Sequence, residues 1–275
     1  MALVINHNLS SITAQRNLSA TTRSLKSSFE KVSSGLRINK AADDAAGLGV
    51  AENLNAQSRS AKVAMRNTND GISMVQTAEG ATSEVGNIVK RMRELAVQSS
   101  SETLATTERS YIDDEFAQLS AEVDRISQVT EFNGVQLGNG SDTSISVQVG
   151  VNNTSNDRIA ITMGDLRATA LGVDTSAMSL NTSASARQAI TALDTALDSV
   201  NSIRSGYGAA QNRLSDALTN MEVYDENLIA AESQIRDVDF ASETAEMAKQ
   251  QIMQQAGMSV LAQTGQAQQG ILSLI

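Results

Sequence analysis

The chain has 275 residues, a formal charge of −10, no Cys, Pro or Trp, one His, and aromatic residues at 3%. Disulfides and thiolate metal sites are excluded, and a histidine-built metal site or His-dependent triad nearly so. The acidic balance argues against nucleic-acid binding, and no apolar run of about 18 residues is present for a membrane span. Apolar residues make up 41% of the chain, so the core must be built mostly from Ala, Leu, Val, Ile and Met. Small apolar residues in long stripes suit packed rods, each burying a seam, better than one thick globule, and predict an elongated, mainly α molecule.

Residues 1–10 lack a basic leader followed by a continuous apolar stretch, so a cleaved secretion signal is not expected. A first helix is predicted from about Asn8–Ser11 to Gly35, with Leu18, Leu25, Phe29, Val32 and Leu36 as a coiled-coil seam. Residues 39–50 combine helix formers with Gly47 and Gly49 and predict a bent connector. Ile72, Val75, Ala78, Thr82, Val85, Val89, Met92 and Ala96 then recur at threes and fours, the pattern of a long amphipathic helix over about 56–99. A shorter helix is predicted over about 105–129.

At Phe132 the pattern changes. Asn133-Gly134 supplies left-handed turn geometry, and Ile145, Val147, Val149 and Ile159, Ile161, Met163 alternate with polar or small residues as two half-buried strands, giving a β region over about 132–170. From about 184, Leu193, Leu197, Val200, Tyr207, Leu214, Met221 and Leu228 resume a helical stripe. Ile235, Val238, Ala245, Ala248 and Ile252 mark a terminal one, followed by Val260, Leu261, Ile271, Leu272, Leu274 and Ile275.

The chain therefore runs out and back, an elongated helical coiled-coil bundle with a small β-hairpin region at the turning point. Residues 1–43 are expected beside 230–275 as one layer and 44–229 as a rod-like second domain. Residues 1–42 carry six bases against Glu30, net +5, whereas 230–275 carry net −3 and 43–229 net −12. Opposite signs favour pairing of the two ends, although an exposed ion pair adds only about 0–1 kcal/mol. A terminal segment cannot bury its stripe alone, so order is expected there only as neighbouring copies dock through Leu18, Leu25, Phe29, Val32, Leu36, Ile235, Val238, Ile252, Val260, Leu261, Ile271, Leu272 and Leu274. A contact that repeats without closing builds a helical polymer.

Five runs, in this order, are similar to bacterial flagellin: residues 5–18, residues 33–48 (Ser-Ser-Gly-Leu-Arg-Ile-Asn-Lys-Ala-Ala-Asp-Asp-Ala-Ala-Gly-Leu), Met92-Arg93-Glu94-Leu95-Ala96-Val97-Gln98-Ser99, Phe132-Asn133-Gly134, and Ser259-Val260-Leu261-Ala262-Gln263 through Leu274. The resemblance covers about 1–140 and 185–275, with no room for large variable outer domains between its halves. It implies a minimal filament subunit used for motility, exported by the flagellar type III apparatus on an uncleaved N-terminus and located in the extracellular filament. It also implies an export chaperone over the C-terminal stripe, cap and hook–filament junction proteins as partners, and no cofactor. A hook–filament junction protein, which shares the terminal logic, is the alternative. The resemblance further places Arg91, Leu95 and Glu115 on positions read by Toll-like receptor 5, with Arg91 as a planar hydrogen-bonding fork and Leu95 as an apolar knob. Ala267, Gly270 and Gly49-Val50 depart from the family pattern.

Other motifs give way to plainer readings. His7 lies in a polar run, Ser28-Phe29-Glu30-Lys31 sits within a helical seam, Asp113-Asp114-Glu115 reads as a solvated acidic face, and Asp43-Asp44 as a helix-start cap. Gly47-x-Gly49 lacks the strand a phosphate loop needs. Asn152-Asn153-Thr154-Ser155 holds overlapping sequons in a surface loop, and no enzyme is expected.

Overall fold

The computed structural model describes residues 8–176 and 178–272, with 267–272 described as backbone only. Contacts group the chain into two compact units, Met1–Ser58 with Glu226–Ile275 (unit 1) and Arg59–Asp225 (unit 2). The elements are α1 (Leu9–Ser34), α2 (Ala45–Ser100), α3 (Thr106–Val129), β1 (Glu131–Phe132), β2 (Val135–Gln136), β3 (Ser144–Gln148), β4 (Arg158–Thr162), α4 (Ala168–Leu171), α5 (Ser183–Arg236) and α6 (Phe240–Leu272). The protein is mainly α, as the stripes predict, and α2 and α5 contribute residues to both units.

In unit 1, Asn8 opens α1 by accepting the Ser11 N–H on its side-chain oxygen at 2.9 Å. Gly35 closes it with φ 73°, a left-handed cap that lets its N–H reach the Lys31 carbonyl at 2.9 Å. The Asp43 carboxylate then accepts the Asn39 and Lys40 N–H groups at 3.1 and 2.9 Å, and Asp44 accepts that of Gly47 at 2.9 Å. The connector expected over 39–50 is consequently shorter: α2 begins at Ala45, and Gly47 and Gly49 lie inside it. The terminal stripe is also broken where the sequence shows no glycine or proline. Arg37 N–H donates to the Arg236 carbonyl at 2.7 Å and Val238 N–H to that of Gly35 at 3.0 Å, forming a bridge of Leu36 with Asp237. Asp239 restarts the helix by accepting the Ala241 and Ser242 N–H groups.

Unit 2 holds the large core. Val75, Ala78, Thr82, Val85, Val89, Met92 and Ala96 of α2 are buried, as are Ile112, Phe116 and Val123 of α3 and Leu193, Val200, Tyr207 and Leu214 of α5. β3 and β4 pair antiparallel in the register Ile145↔Ile161 and Val147↔Ile159, and their apolar faces pack on Met74, Val75 and Tyr207. The predicted alternation holds because only one face of this hairpin meets the helices. β1 and β2 form a second antiparallel hairpin around Asn133-Gly134. The short helix α4 has no stripe long enough to be read from sequence, and it is fixed from outside: Asp124 Oδ1 accepts the Ala168 N–H at 2.7 Å.

Candidate assembly surface

The α1 and α6 helices pack against each other in unit 1. Their shielded positions include Ser11, Ala14, Leu18, Thr21, Leu25, Ser28 and Val32 on α1, and Glu243, Met247, Gln250, Gln254, Gly257, Leu261 and Thr264 on α6. Both sets step by threes and fours, the spacing of a coiled-coil seam. Each terminal helix finds a partner in its own chain. The seam mixes Leu18, Leu25, Val32, Met247 and Leu261 with polar and small residues. Gln254 donates to Thr22 Oγ1 at 3.4 Å, and Leu18 lies against Gly257, 3.3 Å from where a Cβ would stand.

Other large apolar side chains of these two helices face away from the seam. Ile252 is 67% exposed, Phe29 64% and Phe240 53%; Leu9, Ile12, Met253, Met258 and Val260 are exposed too. Phe29, expected within the seam, is displaced from it because Ser28 takes the inward position. Ala245 and Ala248 likewise face solvent.

The residues singled out from sequence therefore divide. Leu18, Leu25, Val32 and Leu261 are half-buried in the intramolecular seam, and Leu36, Ile235 and Val238 are half-buried around the Leu36–Asp237 bridge. Phe29, Ile252 and Val260 are exposed. The side chains of Ile271 and Leu272, together with His7 and Leu274, lie outside the described residues. Leu9, Ile12, Phe240, Met253 and Met258 were not singled out; the signal that finds them is large apolar side chains one step off each heptad seam.

Charges frame this surface without crossing it. Lys40 pairs with Glu30 at 2.7 Å, a hydrogen bond that holds the Glu30 carboxyl below its usual range and raises Lys40. Glu246 is held low by the Gln250 side chain at 2.7 Å and then by Lys249 at 3.1 Å. Among the described residues no ion pair joins α1 to α6, so their opposite charges act only at longer range. Farther along, Arg236 reaches Glu52 at 3.1 Å, and Asn55 donates to Glu232 at 3.1 Å.

In unit 2, Arg91 is exposed and bonds to Glu115 at 2.8 Å and Glu94 at 3.1 Å, with Glu115 the largest cause of its raised pKa. Leu95 is 1% exposed and belongs to the core with Met92 and Phe116. The expectation of a projecting knob at Leu95 is thus corrected: its side chain lies on the buried face of α2.

The pair of terminal helices thus leaves Phe29 and Ile252 in solvent beside a seam that mixes polar and apolar residues. Residues 5–143 match the bacterial flagellin N-terminal helical region, and residues 190–275 match the bacterial flagellin C-terminal helical region. The chain belongs to the bacterial flagellins. A flagellin of Halalkalibacterium halodurans is 44% identical over 99% of this chain and 100% of its own, and one of Bacillus subtilis 39% identical over 98% and 99%. The crystal structure of Bacillus cereus flagellin, 33% identical, superposes with a TM-score of 0.50 over 57% of this chain and 88% of that one. A putative flagellar hook-associated protein of Vibrio parahaemolyticus reaches a TM-score of 0.59 at 14% identity, which is likeness of fold alone. This flagellin is a structural subunit of the flagellar filament, where many copies polymerise for motility, and not an enzyme. The hook–filament junction alternative is not favoured. No helix among the described residues is long and apolar enough to cross a membrane.

Proposed function

We propose that the outward apolar face of the α1–α6 pair is the contact through which copies of this flagellin join. The observation that carries the reading is the exposure of Phe29 and Ile252 beside a seam that already shields Leu18, Leu25, Val32, Met247 and Leu261 among Gln, Thr, Ser and Gly. At roughly 25 cal/mol per Å² of apolar area buried, covering such side chains supplies the larger share of the association energy, and the exposed charges set approach and register. Residues 1–43 with 230–275 form the inner layer of the filament in this reading, and 44–229 the rod-like layer around it. Leu18, Leu25, Val32 and Leu261 serve the contact indirectly by holding α1 and α6 in register, while Ile271, Leu272 and Leu274 extend it.

The family resemblance supports the accompanying steps: export through the type III apparatus without a cleaved signal, a chaperone over α6 before assembly, cap and junction proteins at the filament ends, and an extracellular location. It likewise supports recognition by Toll-like receptor 5 through Arg91 and Glu115, with Leu95 packing the helix from within. The contact is tested by seeded growth, followed by sedimentation and electron microscopy, of the full chain beside a variant lacking residues 253–275. Long filaments from the full chain alone support the reading. Equal growth of both, or of neither, contradicts it.

A further inference from the structure

Unit 2 contains two Asn-Gly dipeptides, Asn133-Gly134 and Asn139-Gly140, and the fold treats them differently. The first forms the turn between β1 and β2, with φ 49° at Asn133 and 79° at Gly134, the pair of positive angles that a type I′ hairpin turn requires. Both residues are exposed, and nothing stands within 4 Å of where a Gly134 side chain would be. Among the described residues no hydrogen bond holds the Asn133 amide or the Gly134 N–H. The second dipeptide is half-buried and held by neighbours. Asn139 Oδ1 accepts the Ser141 N–H at 3.0 Å, and the Asp165 carboxylate, itself clamped by Arg167 at 2.6 Å, lies 2.5 Å from where a Gly140 Cβ would stand.

We propose that Asn133 is a site of spontaneous deamidation and that the fold suppresses the same reaction at Asn139. The main-chain nitrogen of Gly134, having lost its proton to base, attacks Asn133 Cγ. The Cγ–Nδ2 bond breaks and ammonia leaves, closing a succinimide ring. Water then opens the ring at one of its two carbonyls: opening at Cγ gives aspartate, and opening at the main-chain carbonyl gives isoaspartate. The net change is one ammonia lost and one water gained, with nothing oxidised or reduced. Glycine presents the attacking nitrogen without a neighbouring Cβ to shield it. At Asn133 the side chain is exposed and free to swing toward that nitrogen at the tip of a two-residue turn. At Asn139 the amide oxygen is already engaged, and Asp165 and Arg167 crowd the Cβ side of the adjacent glycine.

Isoaspartate routes the main chain through Asn133 Cβ and lengthens a turn whose register is held by Glu131↔Gln136, Phe132↔Val135 and the Leu137 N–H donated to the Thr130 carbonyl at 3.0 Å. Phe132 packs on the core beside Met74 and Val147, so the modification also loosens that edge.

The test incubates the full chain at mildly alkaline pH, folded and in denaturant. Peptide mapping for amide-to-acid mass gain and isoaspartyl methyl transfer follows each site. In denaturant the two sites should convert at comparable rates. In the folded chain Asn133 should convert several-fold faster than Asn139, and Asn133→Gly, which suits the turn, should abolish the first signal alone. Equal or faster conversion at Asn139 in the folded chain, or none at Asn133, would overturn the proposal.

Discussion

Arg109 is 7% exposed, and its guanidinium donates to the backbone carbonyls of Ser99, Ser101 (2.7 Å) and Leu104 (3.2 Å). The last carbonyls of a helix have no intrahelical donors, so one planar fork satisfies the end of α2 and the loop after it. Arg109→Ala should cost about 2–4 kcal/mol in urea unfolding, because it leaves buried carbonyls unmade, and Arg109→Lys should recover only part of that. Asp165 makes a second residue-scale case. The Arg167 side chain holds its carboxyl below the ordinary 3.8, so the charged form is favoured by folding. A depressed folded pKa adds stability that is present above the unfolded value and lost as pH falls through the folded one. Asp165→Asn should therefore destabilise the protein at about neutral pH and make no difference once the medium is well below the carboxylate range. Urea titrations at the two pH values check it.

At the scale of elements, the junction of α1 with the α5–α6 break depends on Gly35, whose φ of 73° is a conformation that costs a side-chain-bearing residue about 1–2 kcal/mol. Gly35→Ala should weaken unit 1 by that amount, read as faster amide exchange in α1 and α6 with unit 2 unchanged. This junction is also where the sequence was least legible. Asp237-Val238-Asp239 contains no helix breaker, and the interruption comes from a bridge to Leu36 at the far end of the chain, which no local pattern encodes. The α2 stripe from Val75 to Ala96 was legible because a helix packed on one side can bury only one face, and period alone selects it. Phe29 was misplaced because Leu25, Phe29, Val32 and Leu36 satisfy the same spacing as Leu25, Ser28 and Val32, and composition favours the larger side chain. Leu95 shows the complementary error: it adjoins the stripe positions Met92 and Ala96, so its burial was available from period, while the resemblance drew attention to surface recognition.

For the whole molecule, the division into units implies a division of stability. Unit 2 has a dense core around Phe116, Met92, Leu193 and Tyr207, whereas Ser28 is the buried residue of α1 and Gln250 is buried on α6. Sites of low apolar burial open locally at small free-energy cost. Hydrogen exchange on the monomer should therefore find α1 and α6 exchanging long before the core of α2, α3 and α5. In filaments the terminal helices should become protected, if the surface they leave open is the one that neighbouring copies cover. The most direct measurement is seeded elongation of a Phe29→Ser, Ile252→Ser double variant, chosen because both side chains lie outside the intramolecular seam. The account predicts a monomer with unchanged helicity and unchanged unit 2 stability that fails to extend seeds under conditions where the unaltered chain does. Elongation at the unaltered rate would contradict the assignment of that face as the polymer contact.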